Sequence, residues 1–208
     1  IDSFFYVSET DGFAHIYQYD YEGNLINQIT KGAWEVIGID AIDFKKEKIF
    51  YTSTEVHPTE RHLFSINFDG SDKQQLTSAA GRHAVNVSPD GKYYLDSYSN
   101  VSTPTQVEMW STKGKMVEKL VDNSAVNDFL LGSAYSPREL FTYTTKDGQV
   151  LDGYLIKPIN FDATKNYPLV LSVYGGPGSQ GVYNAWESNP FSQFLAHQGY
   201  VVANVNNR

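Results

Sequence analysis

The residues best suited to chemistry lie in the stretch Tyr167 to Gln180, YPLVLSVYGGPGSQ. An apolar run of Leu169, Val170, Leu171 and Val173 leads into Tyr174, and Gly175, Gly176, Pro177 and Gly178 follow. That order predicts a buried strand ending in a turn. Without β-carbons the loop backbone can lie against a ligand and adopt φ > 0, while Pro177 stiffens the way out. Tyr174 would then stand at the lip of a pocket, where a phenol can donate a hydrogen bond to developing negative charge. Read alone, the stretch also fits an ordinary strand-end aromatic before an ordinary turn.

Other chemistry is scarce. His15, His57, His62, His83 and His197 are scattered, with no metal-ligand pair at helical spacing, and read as surface or strand residues. The Asp-Gly pairs have turn spacing rather than the regular ligand spacing of a calcium loop. There is no cysteine, hence no disulfide framework and no thiolate. No metal or cofactor is expected. A net charge of −8 from 16 basic and 24 acidic residues, with no basic cluster, argues against nucleic-acid binding. The longest apolar runs fall far short of the ~18 residues of a membrane-spanning helix, and Ile1 opens no charged and apolar leader, so the sequence reads as carrying neither anchor nor signal peptide. The Asn-x-Ser sequons at Asn86 and Asn100 matter only along a glycosylating route.

Elements that could position Tyr174 follow from the pattern of the whole chain. Residues 1–125 hold three copies of one unit. Each opens on an aromatic strand, Phe4-Phe5-Tyr6, Ile49-Phe50-Tyr51 and Lys92-Tyr93-Tyr94, with 45 positions from Phe5 to Phe50 and 43 from Phe50 to Tyr93. Alternating strands follow at His15 to Tyr19, His62 to Phe68 and Gln106 to Trp110, then closing segments ending Ile29-Thr30, Leu76-Thr77 and Leu120-Val121. Asp11-Gly12, Glu22-Gly23, Asp69-Gly70 and Asp90-Gly91 supply hairpin turns, and a period of ~40 to 50 residues of short strands is the mark of β-propeller blades. Three blades do not close a ring, which typically takes ~4 to 8, so blades are expected before Ile1.

Gly132, Ser133, Ser136 and Pro137 make 126–137 a linker onto something different. In 138–208 a hairpin is expected from Arg138 to Lys157 around Asp147-Gly148, then a strand from Pro168 to Tyr174. A helix is expected over Phe191 to His197, capped by Asn189-Pro190 and stopped at Gly199, and a buried strand over Tyr200 to Val205. Hairpin, strand, helix and strand are how a mixed sheet becomes a parallel doubly wound one, whose functional loops lie beyond the carboxyl ends of strands.

Three segments together resemble the prolyl oligopeptidase family of serine peptidases, its dipeptidyl-peptidase branch most of all. They are Ile29-Thr30-Lys31-Gly32-Ala33-Trp34-Glu35-Val36-Ile37-Gly38-Ile39, Val121-Asp122-Asn123-Ser124, and Tyr167-Pro168-Leu169 through Val173-Tyr174-Gly175-Gly176-Pro177-Gly178-Ser179-Gln180. The resemblance implies antiparallel β-propeller blades followed by the N-terminal part of an α/β-hydrolase domain, in a fold whose parent has eight blades. It implies a Ser-Asp-His triad between the two domains, a peptide substrate with Pro or Ala as second residue, and release of a dipeptide. Tyr174 matches the family tyrosine that donates its hydroxyl to the oxyanion. No substrate-binding residue is assigned. Ser179 has Pro177 two positions before it, so it does not fit the Gly-x-Ser-x-Gly elbow. The triad is therefore expected beyond Arg208, and the glutamate pair that holds a substrate amino terminus before Ile1.

The resemblance also implies a homodimeric parent and, for a bacterial member, a periplasmic or extracytoplasmic place. The 208 residues alone are expected to be inactive, and to self-associate because Val170, Val173, Val202 and Val205 lack full cover. An oligopeptidase or acyl-peptide hydrolase would share the two-domain plan without the paired glutamates. Outside enzymes, the alternative is a propeller serving as a non-catalytic binding module.

Overall fold

The structure, a computed structural model, describes residues 2–176, 178–187 and 189–207, with Leu131 described by its backbone alone. Pro177, expected to stiffen the glycine loop, lies outside the described residues, as do Ile1, Ser188 and Arg208. Two compact units form. The first runs to Tyr98 and takes in Gln106–Val121, and the second takes in Ser99–Thr105 and the chain from Asp122 on.

In the first unit the three sequence copies become three sheets. One holds β1 (Ser3–Ser8), β2 (His15–Asp20) and β3 (Leu25–Gln28), and the next holds β4 (Val36–Asp43), β5 (Lys48–Ser53), β6 (His62–Asn67) and β7 (Gln74–Gln75). The third holds β8 (Arg82–Val87), β9 (Tyr93–Asn100), β10 (Thr103–Ser111) and β11 (Met116–Val121). Chain neighbours are sheet neighbours throughout, joined by turns that close at glycines such as Gly70, φ 83°, and Gly91, φ 62°. In two of the sheets a strand precedes the aromatic one. β4 covers part of the Trp34 segment, so the spatial unit starts one strand earlier than the aromatic repeat suggests.

The period of two explains how β5 binds sheets on both sides. Ile49 and Tyr51 join Ile16, Ile29, Val36, Phe64, Ile66 and Phe68 in one cluster, whereas Phe50 turns the other way to meet Leu63, Val87 and Tyr94. Burying each such large side chain contributes about 1.5–3 kcal/mol, so the uninterrupted Ile-Phe-Tyr run is a strand buried on both faces.

Three histidines expected at the surface or on strands are strand residues in the core. His15 Nε2 donates to Gly32 O at 3.0 Å and its Nδ1 lies 3.1 Å from Thr30 Oγ1. One copy later His62 Nδ1 lies 3.1 Å from Thr77 O and 3.2 Å from its Oγ1. The same threonines stretch the ladder past the strand, since Ile16 N donates to Thr30 Oγ1 and Leu63 N to Thr77 Oγ1. His83 is paired with Asp96, Nδ1 to Oδ2 2.8 Å. Rings with both nitrogens matched can be buried, which is why these polar side chains sit inside.

In the second unit α1 (Ser124–Leu131) is a helix that overlaps the start of the stretch read as a linker, 126–137. Then come β12 (Arg138–Thr144), β13 (Val150–Ile156), β14 (Leu169–Val173), α2 (Pro190–His197) and β15 (Val201–Val205). The sheet order is β12-β13-β15-β14, antiparallel except for the β14/β15 pair, which is parallel. Asn189 caps α2 as expected, its Oδ1 accepting from Phe191 N at 3.0 Å and Ser192 N at 3.2 Å, and Gly199 follows with φ 88°. Ala196 and Leu195 bring α2 onto the sheet face of Tyr154, Ile156 and Val202, joined by Val182. Gln193 fastens it to the chain before β12, Nε2 donating to Ser136 O and Oε1 accepting from Ser136 N.

The strand before Tyr174 was expected to be buried, and it is not. β14 is an edge strand, with Leu169 59%, Leu171 55% and Val173 63% exposed on the face away from α2. Val202, expected to lack cover, is buried under α2.

Candidate functional site

Parallel pairing sets where Tyr174 emerges. Val173 lies opposite Val205, so β14 and β15 end level, and Tyr174 leaves the sheet beside Asn206. Glycines after a strand end favour a sharp change of direction, and here the chain folds back so that the phenol lies over Gly176. A β-carbon built on Gly176 would come within 2.8 Å of Tyr174 Oη and 3.0 Å of its Cζ. A side chain at position 176 would therefore displace the Tyr174 ring from where it lies. Tyr174 as a whole stays 44% exposed.

The loop is held from the neighbouring strand. Asn207 Nδ2 donates to Gly176 O at 3.0 Å. Asn206 Oδ1 accepts from Gly181 N and Val182 N, each at 2.9 Å, and its Nδ2 reaches Val182 O at 3.4 Å. Gln180 Nε2 donates to Val182 O at 2.7 Å. Asn204 crowds Gly181, where a β-carbon would lie 2.9 Å from its Oδ1. Val182 itself is fully buried with Ile156 and Val202. These ties are all made by neutral amides.

Beyond Val182 the chain is pinned again. Ser99 Oγ accepts from Trp186 N at 3.1 Å, and the Trp186 ring stacks on Tyr135 with centroids 5.9 Å apart. Arg138 Nη1 meets Glu187 Oε2 at 2.6 Å, its guanidinium 4.3 Å above the Tyr154 ring centre. Burial raises the Tyr135 phenol above its ordinary range, with Arg138 opposing.

Of the sequence candidates, Tyr174 is placed just past the carboxyl end of a parallel strand, partly exposed. Such a group can donate a hydrogen bond to an oxygen acquiring negative charge. Sequence reasoning missed Asn204, Asn206 and Asn207. Their signal was the abrupt change from apolar to amide side chains at the end of Tyr200 to Val205. Among the described residues, no three His, Asp or Glu side chains gather to hold a metal ion, and no helix is long and apolar enough to cross a membrane.

Comparison with known proteins gives consistent results. Residues 1–105 match the family model described as the dipeptidyl peptidase IV (DPP IV) N-terminal region. The dipeptidyl peptidase 4 of Trichophyton equinum is 34% identical over 209 residues, covering 97% of this chain and 27% of that protein. The probable dipeptidyl peptidase 4 of Aspergillus clavatus is 30% identical over 207 residues, with the same two coverages of 97% and 27%. The crystal structure of Porphyromonas gingivalis dipeptidyl peptidase 4 superposes with a TM-score of 0.92 at 37% identity, covering 99% of this chain and 29% of that one. The chain thus spans little more than a quarter of the length of these relatives.

Proposed function

Since the chain belongs to the family of the dipeptidyl peptidase IV N-terminal region, we propose that it is part of a serine exopeptidase that releases N-terminal X-Pro or X-Ala dipeptides. The antiparallel sheets of the first unit are blades of a propeller, and 138–208 begin an α/β-hydrolase domain. Support for the second half is the parallel β14/β15 pair flanked by α2, with its loop beyond the strand ends.

In this reading a serine supplied by the rest of the protein attacks the scissile carbonyl, and a histidine takes its proton. The carbonyl π electrons move onto oxygen, and Tyr174 Oη–H donates to that oxyanion. Collapse of the tetrahedral species expels the amine with the proton returned by the histidine, and water then releases the dipeptide. Tyr174 contributes only while the charge exists, so it lowers the barrier without tightening substrate binding.

The observation that carries the proposal is the partly exposed Tyr174 just past the carboxyl end of a parallel strand, its phenol braced over Gly176. In the full-length protein, Tyr174→Phe is expected to lower kcat on a Gly-Pro anilide by about 10²–10³ with KM little changed. Unchanged turnover would remove Tyr174 from the mechanism.

A further inference from the structure

Two adjacent asparagines hold the Tyr174 loop, and they hold different halves of it. Asn206 binds the far half, Gly181 and Val182, which is already fixed by burial of the Val182 side chain. In the near half, Gly175 and Gly176 have no side chains to bury. What the structure provides there is Asn207 Nδ2 donating to Gly176 O at 3.0 Å. Gly176 is also the residue on which the Tyr174 phenol rests. A force on the Gly176 carbonyl is therefore passed directly to the ring, because movement of that peptide alters the surface beneath Oη.

Level strand ends make the arrangement possible. With Val173 opposite Val205, the second residue beyond β15 reaches the third residue beyond β14 without strain on either strand. Asn207 is exposed, so core packing does not account for an amide at this position.

We propose that Asn207 is a positioning residue for Tyr174, acting through the Gly176 carbonyl to hold the phenol where an oxyanion forms. This rests on the oxyanion reading of Tyr174 given above. Asn206, by contrast, serves the fold by fastening the loop to the core.

The test uses the full-length protein and a Gly-Pro anilide. Asn207→Ala is expected to lower kcat about tenfold, near the upper limit for one net neutral hydrogen bond, with KM and the unfolding midpoint unchanged. Asn207→Asp keeps the size but replaces the donor with a charged acceptor facing the Gly176 carbonyl, and is expected to show at least as large a loss. Added to Tyr174→Phe, Asn207→Ala is expected to cause no further loss, since the group it positions is gone. Asn206→Ala is expected to lower the unfolding midpoint. Wild-type kcat in both Asn207 variants, alongside an impaired Tyr174→Phe, overturns the positioning role and leaves the oxyanion role standing. Losses that multiply in the double variant also overturn it, because Asn207 would then act independently of the phenol. Wild-type kcat in Tyr174→Phe overturns both.

Discussion

The phenolic oxygen of Tyr174 stands over Gly176, so close that a β-carbon at position 176 would lie 2.8 Å from it. Ring and glycine thus form one unit: the phenol proposed to donate a hydrogen bond to a developing charge is supported by the backbone of its own loop. Gly175, by contrast, has open space around the position a β-carbon would take.

Gly176→Ala should therefore move the phenol, because the flexible ring yields more readily than the backbone. The expected result in the full-length protein is a fall in kcat approaching that of Tyr174→Phe, with the unfolding free energy within about 1 kcal/mol of wild type. Gly175→Ala should cost less activity. Steady-state kinetics on a Gly-Pro anilide, with urea melts in parallel, would compare the two.

Gly153→Ala tests the sheet beneath the site. A β-carbon there would run into the Phe141 ring and come within 2.9 Å of Asn204 O. Ring and neighbouring strand are both packed, so overfilling should destabilise by about 1–3 kcal/mol. Urea unfolding would record the shift, and an unchanged midpoint would mean the strand can spread.

His83 and Asp96 form a buried pair in the first unit, and His83 Nε2 donates to Ala79 O at 2.8 Å. Asp96→Ala leaves the buried His83 Nδ1 without that partner. The expected loss is about 1–3 kcal/mol. Replacing both residues by leucine should recover part of it, because neither polar group would then be stranded. A double-mutant cycle of unfolding free energies measures the coupling.

The exposed face of β14 should make the isolated 208-residue chain self-associate. Leu169, Leu171 and Val173 present an apolar strip along an edge strand, where unpaired backbone groups are also available. Leu171→Lys is expected to shift the sedimentation profile toward monomer. A wild-type chain that sediments as one monomeric species would contradict the expectation.

Much of this molecule was legible residue by residue. The Asp-Gly turns, the alternation of the blade strands, the Asn189-Pro190 start and Gly199 end of α2, and the strand running into Tyr174 all depend on neighbours within a few positions. Backbone sterics, turn chemistry and side-chain period act at that range, so a single sequence reveals them. What sits opposite what could not be read in this way. Burial of His15 and His62 depends on Thr30 and Thr77 a hairpin away, and the bareness of β14 depends on its place at the sheet's edge. The ties from Asn206 and Asn207 require a parallel register that carries Val205 level with Val173 across an intervening helix. Local composition therefore singled out Tyr174 as a candidate, and the family resemblance supplied the role proposed for it, whereas the tertiary pairing of distant strands decided what holds its loop, because hydrogen bonds form between atoms that meet in space whatever their separation along the chain.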